Sequence, residues 1–217
     1  MDRVLLGCGV VAGPLFVGVF LLTGALRPAY DPLRHPVSLL ALGPGGWVQS
    51  VNFCVSGLLY LAFAAGLWRT HGPWAATRAG IVLVAATAAG LVGAGIFPTD
   101  PVSGYPPGTP DRMTGRSGPA ALLHDLSSAP VFLGLPVAML LWARAFRRRG
   151  RQGWAVGSAG CAAAVLLAFV LAGAGFAQAP ALVHLGGLFQ RVSISVGMGW
   201  LTALGAGALR AARAGPP

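Results

Sequence analysis

The fold class predicted for this chain is an all-α polytopic membrane protein, a six-transmembrane-helix bundle with elaborated outer loops, and three observations predict it. The 217 residues are 55% hydrophobic and only 9% charged, with a mean hydropathy of +0.72, far more apolar than a soluble domain of that size. The apolar residues fall into runs close to the roughly 20 residues that cross about 30 Å of hydrocarbon. The fifteen basic residues are all arginine and stand mainly at the ends of those runs, where charge sets topology. In a soluble protein a net charge of +10 would suggest a nucleic-acid partner, but that arrangement leaves no such role.

Taken in order, the runs predict spans over 4–26, 47–68, 79–97, 120–142, 154–176 and 188–209, in one integral membrane domain covering 1–217. The first run begins after Met1-Asp2-Arg3 and continues to Leu26, longer than the apolar core of a signal peptide, so it reads as a retained helix. Trp47, Trp68, Trp142, Trp154 and Trp200 stand mostly near span ends, where an indole can keep its ring in the interface and its N–H in water. Pro14, Pro130 and Pro136 lie inside spans, and the two in the fourth predict that it is the most irregular helix. Rows of small residues, Ala85, Ala89 and Gly93 in the third span and Gly199, Ala203 and Gly207 in the sixth, predict close helix packing within the chain. Cys8, Cys54 and Cys161 are odd in number and widely spaced, neither a disulfide framework nor a thiolate metal site.

Arginines concentrate at the N-terminus, the second and fourth connections and the C-terminus, as Arg3, Arg69, Arg78, Arg144, Arg147, Arg148, Arg149, Arg151, Arg210 and Arg213. That bias predicts cytoplasmic termini and a cell-membrane location. The other three connections then face outward and hold four of the five acids, Asp31, Asp100, Asp111 and Asp125. A short repeat, Gly45-Gly46-Trp47-Val48-Gln49 against Gly186-Gly187-Leu188-Phe189-Gln190, opens the second and sixth spans, as related helical hairpins would.

The outer loops carry the candidate chemistry. In the first, Pro36 holds His35 extended, so its ring either turns toward the bundle or is solvated, and Ser38 is placed to cap a short interfacial helix. The second, 98–119, contains Pro98, Pro101, Pro106, Pro107, Pro110 and Pro119, which forbid a helix and predict an irregular lid carrying Tyr105. Asp100 begins this loop in a turn context, while Asp111, Arg112 and Arg116 read as solvated. His124-Asp125 opens the fourth span, with a helix-cap role as the plainer reading of Asp125. His184, Gln190 and Arg191 come from the third outer connection. Arg191 stands on the face that the positive-inside rule disfavours, so it either snorkels or pairs with Asp100 or Asp125.

This one-sided gathering nominates His35, Asp100, His124 and Asp125 as catalytic candidates and Ser38, Tyr105, Gln190 and Arg191 as substrate-binding candidates. Three histidines and a carboxylate have the donor types for zinc, but no His-x-x-x-His spacing is present, so metal and cofactor are left unspecified. Two classes of function stand side by side. One is a protein that binds a lipid or a partner at its outer face, with membrane lipids as neighbours and a lipid-like ligand. The other is a membrane enzyme acting on a lipid or isoprenoid, with metal assistance as one option. A transporter would need ionisable groups near mid-membrane, and the spans show none.

His35-Pro36-Val37-Ser38-Leu39-Leu40, Gly46-Trp47-Val48-Gln49, Gly95-Ile96-Phe97-Pro98-Thr99-Asp100-Pro101, Gly104-Tyr105-Pro106-Pro107-Gly108-Thr109-Pro110, His124-Asp125 and Phe189-Gln190-Arg191 together resemble the bacterial domain-of-unknown-function 998 membrane proteins. The resemblance spans nearly the whole chain and implies a polytopic membrane protein without an established activity. The Ser, Asp and three His are also similar in kind to the ingredients of ceramidase and progestin-receptor-like seven-helix hydrolases. This chain departs from those in span number and lacks their paired histidines on the last helix.

Overall fold

The computed structural model describes residues 2–70, 74, 77–111 and 118–214. Its helices are α1 (Asp2–Leu26), a 3-10 turn (Val37–Ala41), α2 (Trp47–Arg69), α3 (Arg78–Ile96), α4 (Pro119–Ala129), a π-helical turn (Pro130–Gly134), α5 (Leu135–Arg148), α6 (Gln152–Phe176) and α7 (Gly186–Ala214). Because α4, the π turn and α5 run on as one crossing, six helices are long and apolar enough to span a membrane. The only β pairing among the described residues is an isolated bridge between Val102 and Tyr105.

α1 packs between α2 and α7, α2 on α3, α3 on α4 and α5, and α6 between α5 and α7, which closes a ring around a shared core. Phe16, Phe20, Tyr60, Phe63, Leu67, Met139 and Leu201 fill that core, while Val4, Leu22, Leu58, Val156, Leu167 and Val170 face outward. Lipid solvates apolar side chains as well as a protein core does, so close backbone approach and interhelical hydrogen bonds must hold the ring together. Both are present. A side chain at Gly90 would strike the carbonyl of Ser127, and one at Gly57 that of Ala88. Asn52 donates to the Phe16 carbonyl, Ser193 to that of Val165 and Thr87 to that of Pro130.

The fourth span is the irregular one, and its two prolines explain how. Pro130 and Pro136 lack the N–H groups that would bond Leu126 and Phe132 four residues earlier. Between them the Leu135 N–H reaches five residues back to Pro130, and Thr87 supplies a second donor to that same carbonyl. The wider turn lets the crossing continue despite the lost bonds.

Two expectations need correction. Trp142 and Trp200 are not interfacial: both are buried, the Trp142 indole donating to the Trp74 carbonyl and the Trp200 indole to Ser158. A buried partner replaces water for each N–H, so these rings can sit in the core, while Trp47 and Trp68 stay exposed. Nor is Gly199-Ala203-Gly207 one seam. Gly207 abuts the Trp74 ring, whereas Gly199 has open space where a side chain would point.

Candidate functional site

At the end of the bundle opposite the termini, the first loop is docked on the start of α7. The first N–H groups of a helix have no intrahelical partner. Here those of Gly187 and Leu188 donate to the carbonyls of Arg34 and Leu33, so loop backbone takes the place of a cap. Gln190 accepts from the Val37 N–H at 2.7 Å. Arg191 then reaches back, donating to the carbonyls of Pro32, His35 and Gly187 and to the Tyr30 hydroxyl. Across the same loop Arg27 donates to the carbonyls of Leu40, Leu42 and Pro44. Burial pushes the Tyr30 hydroxyl up to about 12, against the opposing pull of the Arg191 guanidinium, so it stays protonated.

His35 lies at the centre of this clasp. Its Nδ1 accepts the Asp31 N–H at 2.9 Å, so its Nε2 carries the proton and donates to the Ser103 carbonyl at 3.1 Å. Burial lowers its pKa from the ordinary value, more than the neighbouring Asp31 raises it. The ring stacks in a triangle with Tyr30 and Tyr105, each pair of centroids 5.3 Å apart. Through Ser103 and Tyr105, both buried, the irregular stretch 98–111 is laid over the first loop. Ser103 and Gly104 turn the backbone at positive φ, 61° and 78°. Asp111, exposed as expected, also forms an ion pair with Arg34 and accepts from Gln178 through its backbone. Arg112 and Arg116 lie outside the described residues.

His124 occupies a different place. Its Nδ1 is 2.9 Å from the Phe97 carbonyl, and since a carbonyl only accepts, Nδ1 carries the proton. That bond ties the second turn of α4 to the end of α3 and leaves Nε2 of the neutral ring as an acceptor. The ring borders two adjoining cavities. The outer, about 330 Å³, is lined by Ser38, His124, Asp125, Ser128 and Gln190 together with Phe132, Leu133, Phe169, Gly173 and Phe176. The inner, about 40 Å³, shares Ser38, His124, Ser128, Phe132 and Gln190, and is otherwise walled by apolar residues including Phe16, Phe53, Leu91 and Ile194. α4 leans on α3 and barely touches α6, so the outer cavity lies in the gap between them, with exposed Leu133 on its edge. Phe132 and Phe169, stacked with centroids 4.6 Å apart, form its floor. A larger groove of about 970 Å³ lies near the opposite end between α6 and α7, lined by Gly153, Gly157, Cys161, Gly199 and Ala203. Among the described residues it is lined by no histidine or carboxylate.

The structure therefore divides the sequence candidates. Ser38, His124, Asp125 and Gln190 line one cavity, whereas His35, Tyr105 and Arg191 belong to the clasp. Asp100 accepts from the Gly118 N–H just before α4, and His184 is exposed. The expected pairing of Arg191 with Asp100 or Asp125 is overturned: its two terminal nitrogens go to backbone carbonyls and a phenol, while its Nε is buried without a hydrogen-bond partner among the described residues. Ser38 does not cap the 3-10 turn: Pro36 holds the cap position, and Ser38 sits inside the turn. Asp125 does not cap α4 either, since Gly118 is in that position. Among the described residues no three His, Cys, Asp or Glu side chains gather closely enough to hold a metal ion. His35 and His124 are instead each bonded to a backbone carbonyl, of Ser103 and Phe97 respectively.

Sequence reasoning missed Ser128, Phe132 and Phe169, which complete the cavity, and the buried row Gln49, Asn52 and Ser56 along α2. The row's spacing of three and four residues was its available signal. No curated protein and no solved structure matches the chain. A family model described as "protein of unknown function (DUF998)" matches residues 10–207. With nearly the whole chain covered, this polytopic membrane protein belongs to the DUF998 family.

Proposed function

We propose that this protein binds a lipid-like amphiphile in the cavity between α4, the π turn and α6, taking it from the bilayer through the gap between the helices. The observation that carries the reading is the cavity's two-sided lining: Phe132, Leu133, Phe169 and Phe176 suit a hydrocarbon chain, while Ser38, His124, Ser128 and Gln190 converge at one end. The arginine asymmetry supports cytoplasmic termini, and with them a cavity facing the outer leaflet of the cell membrane. Binding is better supported than catalysis. His124 donates its Nδ1–H to a carbonyl, and among the described residues no carboxylate bonds to it, so the arrangement that activates a serine is not assembled.

A single-chain amphiphile with a diazirine on its alkyl chain tests this. In phosphatidylcholine nanodiscs, illumination should label residues of α6 around Phe169 and Phe176. Gly173→Phe should abolish that label, because the glycine has open space for a side chain on the cavity wall. Labelling spread evenly over the lipid-facing surface, and unchanged in Gly173→Phe, would rule the reading out.

A further inference from the structure

Given a ligand in that cavity, we infer that its head group is uncharged and bears a hydroxyl, the head of a long-chain alcohol or a monoacylglycerol, and that it seats in the inner chamber among Ser38, His124, Ser128 and Gln190. This deepens the proposed function and rests on it.

Three features converge. The first is size: about 40 Å³ is room for about three waters, which suits a terminal hydroxymethyl group and is too small for a phosphodiester with its substituents. The second is charge. Among the described residues no charged side chain lines the inner chamber and no arginine lines the outer one, where Asp125 stands instead. The buried cation Arg191 is turned to the first loop by three carbonyls and a phenol. An anionic head would enter a low-dielectric chamber without a counter-ion among the described residues and pass a carboxylate on the way.

The third feature is the direction of the hydrogen bonds. With its ring neutral, His124 presents an Nε2 acceptor, because the Phe97 carbonyl fixes the proton on Nδ1. Gln190 has its oxygen engaged by the Val37 N–H, so its amide N–H₂ remains to donate. Two serine hydroxyls can do either. A ligand hydroxyl, which donates once and accepts, matches one fixed acceptor and one fixed donor. An ether or an alkane cannot satisfy the acceptor.

The test is competition against the photoreactive probe in nanodiscs, using dodecan-1-ol, 1-monododecanoylglycerol, dodecyl methyl ether and dodecyl phosphate. The alcohol and the monoacylglycerol should each compete about three- to tenfold better than the ether, the effect of one or two hydrogen bonds, and the phosphate should compete worst. Whichever of the first two is stronger identifies the source of the hydroxyl. Ser128→Ala should narrow the alcohol-to-ether ratio while leaving the ether unchanged, a readout that a folding defect would not mimic. Equal competition by alcohol and ether, or preference for the phosphate, would overturn the inference and leave the cavity reading standing. Absence of cavity labelling by the probe would remove both.

Discussion

At the scale of single residues, Arg191 and His35 show how a loop can be fastened with side chains that look catalytic. Arg191 is 7% exposed, and its removal would orphan carbonyls at a penalty of about 1–3 kcal/mol for each that water cannot reach. Arg191→Ala should therefore lower the unfolding temperature in detergent. Arg191→Lys should not restore it, since one ammonium cannot span three carbonyls and a phenol. A double-mutant cycle discriminates the partners: coupling to Tyr30→Phe should be measurable and coupling to Asp125→Asn near zero. His35 gives a pH dependence. Its folded pKa is below the unfolded value of about 6.5, so the native state disfavours the charged ring. The stability it contributes is complete above pH 6.5 and is lost as pH falls through the lower folded value. Protonating Nδ1 would break its bond from the Asp31 N–H. Thermal unfolding followed from pH 7.5 to 5 should show that decline, and His35→Gln should flatten it.

At the scale of elements, contact with backbone separates glycines that matter from those that do not. A methyl group at Gly187 would lie 2.5 Å from the His35 carbonyl and 2.7 Å from that of Pro32, both held by neighbouring hydrogen bonds. Gly187→Ala should cost about 1–3 kcal/mol, as overpacking does, and should loosen the first loop. Gly157→Ala, where no atom lies within 4 Å, should change the unfolding temperature little. Comparing the two variants in one detergent checks the assignment. The Gly-Gly pairs that open the second and sixth spans also differ in use. Gly46 makes room for the Ala41 carbonyl within its own loop, whereas Gly187 admits the first loop from across the bundle.

At the scale of the whole molecule, six crossings put the termini at one end and the clasp, lid and cavity at the other. The described arginines of the loop end have work within the fold: Arg27 and Arg191 hold loop carbonyls, and Arg34 pairs with Asp111. A cysteine introduced at Gly150, between α5 and α6, should resist a membrane-impermeant maleimide in intact cells and react after permeabilisation. Labelling from outside would reverse the orientation and turn the cavity toward the cytoplasm.

Local properties of the chain determined the bundle: run length set the six spans, proline placement marked the irregular fourth crossing, and proline density kept 98–111 out of helix. These are legible because the bilayer thickness and a missing N–H act on consecutive residues, whatever the rest of the chain does. The sequence also gathered its candidates toward one end of the molecule, since polar side chains must leave the hydrocarbon. Only the tertiary structure decided which of them meet. His35 and His124 both sit among polar residues in sequence, yet one is locked between Asp31 and Ser103 and the other opens on a cavity, because each ring follows the carbonyl that packing brings to it. Carbonyls are present at every position and leave no mark in the sequence, so a guanidinium that looked destined for a carboxylate found backbone first. The cavity is equally unreadable in advance: it exists where α4 leans away from α6, and that gap is set by the packing of α4 on α3.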